Sequence, residues 1–219
     1  MSLQIIECDQ GSEEWFRARM GIPTASEFKT ILGIKKEAKD KVTRQIYMRK
    51  LAGEIVTGEP MESYSNDHMA RGQAMEEEAR ALYAVMHDAD LQRVGFIRNG
   101  NAGCSPDSLI GNTGALEIKT ALPHIVADLI LKDQFPPEHK AQTQGVLWIA
   151  EREFIDLSVY WPKMPRFVKR AQRDEPYIKD IAAAVDQFND ELAEMVDRIR
   201  RYGSEPVRQA EPVNVLMAG

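Results

Sequence analysis

Gly103-Cys-Ser-Pro-Asp-Ser-Leu-Ile-Gly-Asn-Thr-Gly-Ala-Leu-Glu-Ile-Lys-Thr120 contains two short β-type runs separated by a turn. Residues 105–110 and 115–119 flank Gly111-Asn-Thr-Gly114, a four-residue turn that folds them into a hairpin. Strand side chains alternate faces, so Glu117 and Lys119 point one way and Leu116 and Ile118 the other. Asp107 lies on the partner strand. The hairpin therefore brings two carboxylates and one ammonium to a single spot, with apolar residues behind them.

Paired carboxylates repel, and a cation is the usual remedy. Hard divalent ions such as Mg²⁺ take one or two carboxylates plus carbonyls and waters. The main-chain carbonyl of Ile118, between Glu117 and Lys119, is an available extra ligand. Phosphodiester hydrolysis uses such an ion to polarise the phosphoryl group and lower the pKa of an attacking water. A lysine beside it can orient or deprotonate that water, or stabilise the charged transition state. The same residues also admit a structural reading, in which Asp107 opens a turn and Glu117–Lys119 is an exposed pair on a solvated strand. The pattern Pro-Asp…Glu-x-Lys is degenerate, and spacing alone leaves both readings open.

Upstream, Thr24-Ala-Ser-Glu27 has capping-box spacing, with Pro23 before it and Gly33 after a short apolar-periodic run; this predicts a helix from Thr24. Further helices are expected over residues 42–56 and 72–87, the second with a stripe of Met75, Ala79, Leu82, Tyr83 and Met86. Residues 94–98 read as a short strand. Downstream, residues 123–132 and 137–150 read as helices and 154–160 as a strand, giving a mixed α/β domain. Ile178, Ile181, Val185, Phe188, Leu192, Met195 and Ile199 recur at spacings of three and four, which predicts a long amphipathic helix over about 174–202. Its seam can pack on its own domain or against another subunit. One domain is expected over residues 1–203, followed by a flexible tail over 204–219 with Pro206 and Pro212.

The 219 residues, 43% apolar and 28% charged, suit a soluble globular chain rather than a disordered one. No run reads as an export signal or a membrane span. Cys8 and Cys104 are isolated, and the four histidines (His68, His87, His124, His139) lack ligand spacing, so a reducing cytoplasm is expected. The net charge of −6 hides two basic stretches. Residues 29–50 carry eight cations against Glu37 and Asp40, and residues 163–173 carry five and no acid. Local basic stretches, not the total, set phosphate attraction; solvated helix faces are the competing explanation.

Pro106-Asp107 followed by Glu117-Ile-Lys119 resembles the PD-(D/E)xK nuclease signature. The neighbouring segments narrow the resemblance to the phage lambda exonuclease type, the YqaJ-like viral recombinase family. Trp15-Phe-Arg-Ala-Arg-Met-Gly21 with Thr24-Ala-Ser26 resembles its N-terminal motif. Met69-Ala-Arg-Gly-Gln-Ala-Met-Glu76 resembles its glycine–glutamate helix, and Gln142-Thr-Gln144 before Trp148 its Q-x-Q helix. The matches run in family order. Two departures stand out: Ser108 replaces a usual glycine, and His139 takes a place where tyrosine is common.

The resemblance implies a restriction-endonuclease-like core, a central mixed β-sheet flanked by helices. It implies that Asp107 and Glu117 bind metal and that Lys119 assists the nucleophile. Glu76 would be a supporting carboxylate on a second metal or its water, and Gln142 would position the nucleophile or the scissile phosphate. Arg19 and Ser26 would hold a 5′-terminal phosphate, which a helix start would favour. The implied activity is Mg²⁺-dependent 5′-to-3′ degradation of one strand of duplex DNA ends, with Mn²⁺ able to substitute. A trimeric ring and a single-strand annealing protein as partner are further implications. The rivals are a single-strand or structure-specific nuclease of the same superfamily and a non-catalytic DNA-end-binding adaptor. Many of the former carry a four-cysteine iron–sulfur cluster, against which two separated cysteines weigh; retention of Asp107, Glu117 and Lys119 together weighs against the latter.

Overall fold

Residues 108–110 and 114–120 do pair as a hairpin, and the rest of the chain is arranged around it. The structure is a computed structural model that describes residues 3–33, 38–61 and 67–202, with backbone alone for 38–40 and 67–74. In chain order the elements begin with β1 (Leu3–Ile6), α1 (Glu13–Arg19), a 3₁₀ turn (Ala25–Glu27) and α2 (Phe28–Leu32). Next come α3 (Ala38–Thr57), α4 (Asp67–His87), β2 (Leu91–Gln92), β3 (Phe96–Asn99), β4 (Ala102–Cys104), β5 (Ser108–Ile110) and β6 (Gly114–Thr120). The remainder is α5 (Pro123–Lys132), a 3₁₀ turn (Pro137–His139), α6 (Lys140–Ile149), β7 (Phe154–Tyr160), β8 (Phe167–Gln172) and α7 (Glu175–Arg201).

The central sheet runs β2-β5-β6-β7-β8 and is mixed. Only β6 and β7 are parallel, with Glu117 opposite Leu157; the crossover between them is α5 and α6. A smaller antiparallel sheet, β1-β3-β4, is tied in by a bridge from Thr24 to Gly103. Residues 114–118 of β6 are buried throughout, because helices cover both faces. Leu116 and Ile118 pack with Ala79 and Tyr83 of α4, while Ala115 joins Val146, Leu147 and Ile149 of α6 in the main core. Gly145 makes the second contact possible. A Cβ there would lie 2.4 Å from the Phe28 ring and 3.1 Å from the Ala25 Cβ, so the missing side chain lets α6 approach the 3₁₀ turn.

The apolar seam of α7 is buried within the chain. Ile178, Ile181, Val185, Phe188, Leu192 and Val196 pack with Tyr47, Met48, Leu51 and Ala52 of α3 and with Phe28 and Ile31 of α2. Fully burying an aliphatic or phenyl side chain stabilises by about 1.5–3 kcal/mol, so this helix is a main prop of α3. Val196, which the expected seam did not include, is buried in it after Leu192, while Met195 is half-buried and Ile199 is exposed.

Several expectations need correction. The helix predicted from Thr24 is one 3₁₀ turn followed by the five-residue α2, and Thr24 makes no side-chain cap. Its hydroxyl is engaged by Arg19 and Ser26 instead. The hairpin pairs Ile110 with Gly114, so three residues turn the chain, with Gly111 left-handed at φ 50°. β5 begins at Ser108 because Pro106 has no N–H to give the ladder. On α4, Ala79 and Tyr83 are buried but Leu82 and Met86 are exposed. The helix expected from residue 137 opens with a 3₁₀ turn before α6. β1, β2, β4 and β8 have no counterpart in the sequence reading. The expected tail over 204–219 lies outside the described residues, as do Lys35 and Lys36 of the first basic stretch.

Candidate active site

β6 alternates as the hairpin argument requires, and the face bearing Glu117 meets α6. Glu117 is 3% exposed. Its Oε1 accepts from Gln142 Nε2 at 2.5 Å and pairs with Lys119 Nζ at 2.7 Å. Asp107, immediately before β5, donates its N–H to the Leu116 carbonyl at 3.1 Å and accepts from the Ile118 N–H at 2.5 Å through Oδ2. In a strand the N–H and carbonyl of one residue share an edge. The Ile118 carbonyl is therefore aimed past the start of β5, to the side where Asp107 stands.

The electrostatics call for a cation. Burial, then the charges of Glu117 and Glu76, push the Asp107 carboxyl well above the usual carboxylate range, against the Ile118 N–H and Lys119. Burial pulls the Lys119 ammonium down, but Glu117, Asp107 and Glu76 outweigh it and hold its pKa above the ordinary value. Glu117 Oε2 is buried and has no hydrogen-bond partner among the described residues. An unpaired buried carboxylate oxygen beside a second buried carboxylate is an arrangement that a divalent ion would satisfy. Asp107, Glu117 and the Ile118 carbonyl thus fit such an ion. Among the described residues no group of three or more His, Cys, Asp or Glu side chains lies close enough to hold a metal by itself.

Glu76 is turned toward Arg80, whose Nη2 is 2.5 Å from its Oε1, yet it is near enough to raise the Asp107 carboxyl. Glu77 pairs with Arg80 and Arg93, and Glu78 with the Tyr160 hydroxyl, so among the described side chains of α4 Glu76 is the acid that acts on Asp107. Arg19 and Ser26 are brought to the same place. Arg19 lies over the Trp15 ring at 4.1 Å and donates to Thr24 Oγ1 at 3.3 Å; that oxygen is 3.1 Å from Ser26 Oγ. One cavity of about 220 Å³ is lined by Trp15, Arg19, Thr24, Ser26, Asp107, Glu117, Lys119 and Gln142 among others. A larger cleft of about 1180 Å³ shares Trp15, Arg19 and Asp107 with it and also reaches Glu76.

The model of the YqaJ-like viral recombinase domain matches residues 14–153, a segment that holds every one of these side chains. The chain belongs to this family. Among solved structures it is similar to the alkaline exonuclease LHK-Exo of Laribacter hongkongensis. The complex of LHK-Exo with dAMP is 32% identical, covers 88% of this chain and 98% of that one, and has a TM-score of 0.78. A second structure of the same enzyme gives 30% identity and the same TM-score. A phage-related exonuclease from Haemophilus somnus 129PT, 16% identical with a TM-score of 0.63 over 81% of this chain and 96% of that one, shares the fold. No curated protein matches. The core is the restriction-endonuclease-like one, and membership of the YqaJ-like family supports a nuclease function.

Both departures from the YqaJ-like pattern have places in the structure. Ser108 is fully buried in an ordinary strand conformation, and its hydroxyl donates to the Asp107 carbonyl at 2.6 Å while accepting from Arg80. The His139 ring is affected by burial and then by Lys119, both of which lower its pKa. Of the Q-x-Q pair, only Gln142 reaches the site. Gln144 is buried on another side of α6, where it accepts from the Asp174 N–H and donates to the Gln172 carbonyl at the β8–α7 corner.

Sequence reasoning missed Arg80, Tyr47 and Gln10. Tyr47, buried in α3, accepts the Thr24 N–H at 3.2 Å and so fixes the wall that carries Thr24 and Ser26. Gln10 bonds the carbonyls of Val94 and Pro106 beside Asp107. Only Arg80 left a signal, four residues after Glu76 on one helix face. The second basic stretch is largely strand β8 and its flanks, with much of its charge used internally: Lys169 pairs with Asp133, Arg170 with Asp156, and Arg173 with Glu175. In the first stretch, Arg44 pairs with Glu191 of α7 at 2.6 Å. Among the described residues no helix is long and apolar enough to cross a membrane.

Proposed function

We propose that this protein is a Mg²⁺-dependent exonuclease that removes nucleotides from the 5′ end of one strand of duplex DNA and leaves a 3′ single-stranded overhang. The observation that carries this reading is the shared cavity, which has carboxylates suited to a metal ion and cation and hydroxyl donors suited to a terminal phosphate. Asp107, Glu117 and the Ile118 carbonyl would hold the ion, with Glu76 serving a second ion or a bound water. Bound there, Mg²⁺ (or Mn²⁺) lowers the pKa of the attacking water and offsets charge on the phosphoryl oxygens and the leaving 3′-oxygen.

The chain's own groups complete the site. Arg19 offers a planar fork suited to phosphate, and Ser26 a hydroxyl donor. Lys119, kept protonated by its acidic neighbours, stabilises negative charge on the transferring phosphoryl group. Gln142 uses its amide nitrogen on Glu117, which leaves its oxygen to accept from the attacking water. Breaking the bond to the 3′-oxygen releases a 5′-mononucleotide and leaves a new 5′-phosphate on the strand, which the same pocket can take next. The dAMP bound by LHK-Exo is a nucleotide of that kind. Family membership further supports a trimeric ring around DNA, action in the cytoplasm of a bacterial or phage-infected cell, and a single-strand annealing protein that takes over the overhang.

The test is nucleotide release from linear duplex labelled at the 5′ or the 3′ end, in Mg²⁺ or EDTA, beside Asp107→Ala and Glu117→Ala. Mg²⁺-dependent loss of the 5′ label first, absent in both variants, is the expected result. Loss of the 3′ label first would overturn the polarity. Intact ends with the parent protein would overturn the nuclease and favour an end-binding adaptor.

A further inference from the structure

Arg80 is 7% exposed, and all three of its guanidinium nitrogens are engaged. Nη2 binds Glu76 at 2.5 Å, Nη1 binds Glu77 at 2.5 Å, and Nε donates to Ser108 Oγ at 3.2 Å. Ser108 passes the link on by donating to the Asp107 carbonyl at 2.6 Å. One side chain therefore ties α4, which carries Glu76, to the start of β5, which carries Asp107. It also divides the charges. Lys119 offsets Glu117, and Arg80 offsets Glu76. Glu76 is near enough to raise the Asp107 carboxyl, yet among the described residues no three such side chains lie close enough to hold a metal by themselves.

We propose that Arg80 is a positioning residue that holds Glu76 beside the Asp107–Glu117 pair as a compensated charge, so that Glu76 does not collapse into the cation site as a third ligand. Resting on the nuclease reading, this assigns Glu76 to the water or phosphate side of the reaction and gives Arg80 the task of keeping it there. A long cation paired to an acid four residues away could be an ordinary helix-surface contact. Burial, and the third bond to Ser108 on another element, distinguish this one.

The experiment uses the full chain with Arg80→Met, Arg80→Lys, Ser108→Ala and the double variant Glu76→Gln/Arg80→Met. Mn²⁺ binding without DNA is followed by the electron paramagnetic resonance of the free ion, and turnover on 5′-phosphorylated duplex. Arg80→Met is expected to bind Mn²⁺ a few-fold more tightly, because a cation leaves and Glu76 is released, yet to turn over roughly 10–100-fold more slowly. Arg80→Lys should recover part of the turnover. The double variant has the parent's net charge and should bind Mn²⁺ no more tightly than the parent. Ser108→Ala, which keeps the ion pairs but cuts the link to β5, should lose less turnover at unchanged Mn²⁺ affinity and serves if Arg80→Met does not fold.

Parallel falls in Mn²⁺ affinity, turnover and melting temperature would make Arg80 a structural residue and overturn the proposal. Unchanged turnover in Arg80→Met, or equally tight Mn²⁺ binding in the double variant, would do the same. If the parent releases no nucleotide at all, the nuclease reading fails separately, and Arg80 is then judged on Mn²⁺ binding alone.

Discussion

Gln142 donates its side-chain amide to Oε1 of Glu117 at 2.5 Å, the same oxygen that Lys119 approaches to 2.7 Å. Two donors thus converge on one oxygen, and Oε2 is left buried without a hydrogen-bond partner among the described residues. This asymmetry fits the chemistry of a metal ligand. Glu117→Gln should lower turnover by at least about 10³-fold. It should change the stability of the metal-free protein little, because losing the Lys119 partner is set against relief of a buried carboxylate beside Asp107. Nucleotide release and thermal melting in EDTA measure the two effects. A large fall in melting temperature would mark Glu117 as a structural member of the sheet.

The raised Asp107 carboxyl makes a prediction about pH. Burial first, then Glu117 and Glu76, keep a proton on it in the folded metal-free protein at pH values where the unfolded chain has lost it. A folded state that binds more protons loses stability as pH rises. The contribution is therefore fully present below the ordinary carboxylate range and is lost as pH rises through the raised value. In EDTA, Asp107→Asn should flatten that fall, and adding Mg²⁺ to the parent should offset it by replacing the proton. Denaturant midpoints across pH test this; identical profiles for parent and variant would rule out Asp107 as the group responsible.

Gln142 and Gln144 are two residues apart, and on a helix that spacing points them to different sides. Gln142→Leu should reduce turnover with little change in stability. Gln144→Leu should leave turnover per folded molecule nearly unchanged but destabilise by roughly 2–4 kcal/mol, because it strands the Asp174 N–H and the Gln172 carbonyl. Urea unfolding beside a turnover assay separates them, and the reverse pattern would refute the assignment.

The same pair shows what the sequence could and could not disclose. A two-residue period on β6 fixes which side chains share a face, so Glu117 with Lys119 was legible from alternation alone. The seam of α7 was legible too, since its 3–4 spacing is long and strong. Gln142 and Gln144 form one motif in the sequence, and only the packing of α6 shows that one faces the cavity with Glu117 and the other a corner. β8 was hidden because Phe167-Val-Lys-Arg-Ala-Gln172 is an edge strand whose charges satisfy partners on other elements, so it reads as a basic surface. Tyr47 was hidden for a related reason. Its ring belongs to the core, and only its hydroxyl serves the pocket.

Tyr47→Phe isolates that hydroxyl. The ring stacks on Phe188 with centroids 5.6 Å apart, and burial above all raises the phenol to about 12, so it stays neutral. The variant should keep the stack but leave the Thr24 N–H unpaired, which costs about 1–3 kcal/mol. If Thr24 and Ser26 line a 5′-phosphate pocket, preference for 5′-phosphorylated over 5′-hydroxyl duplex should fall several-fold while turnover at saturating DNA changes less. Equal losses on both substrates would restrict Tyr47 to a role in stability.

Gly145→Ala tests the contact that brings α6 against the 3₁₀ turn. Alanine is the better helix former by about 1 kcal/mol, so an open helix position would gain stability. Here the new Cβ would meet Phe28 ring atoms at 2.4 and 2.7 Å and the Ala25 Cβ at 3.1 Å. Phe28 is fully buried and has little room to yield. Overpacking of this kind costs about 1–3 kcal/mol, so the net effect should be a modest loss of stability. The more telling result is functional. Pushing α6 away from Ala25 moves Gln142 relative to Ser26, so turnover on 5′-phosphorylated duplex should drop by more than the loss of folded protein explains. A variant as stable and as active as the parent would show that this close approach does not set the geometry of the cavity.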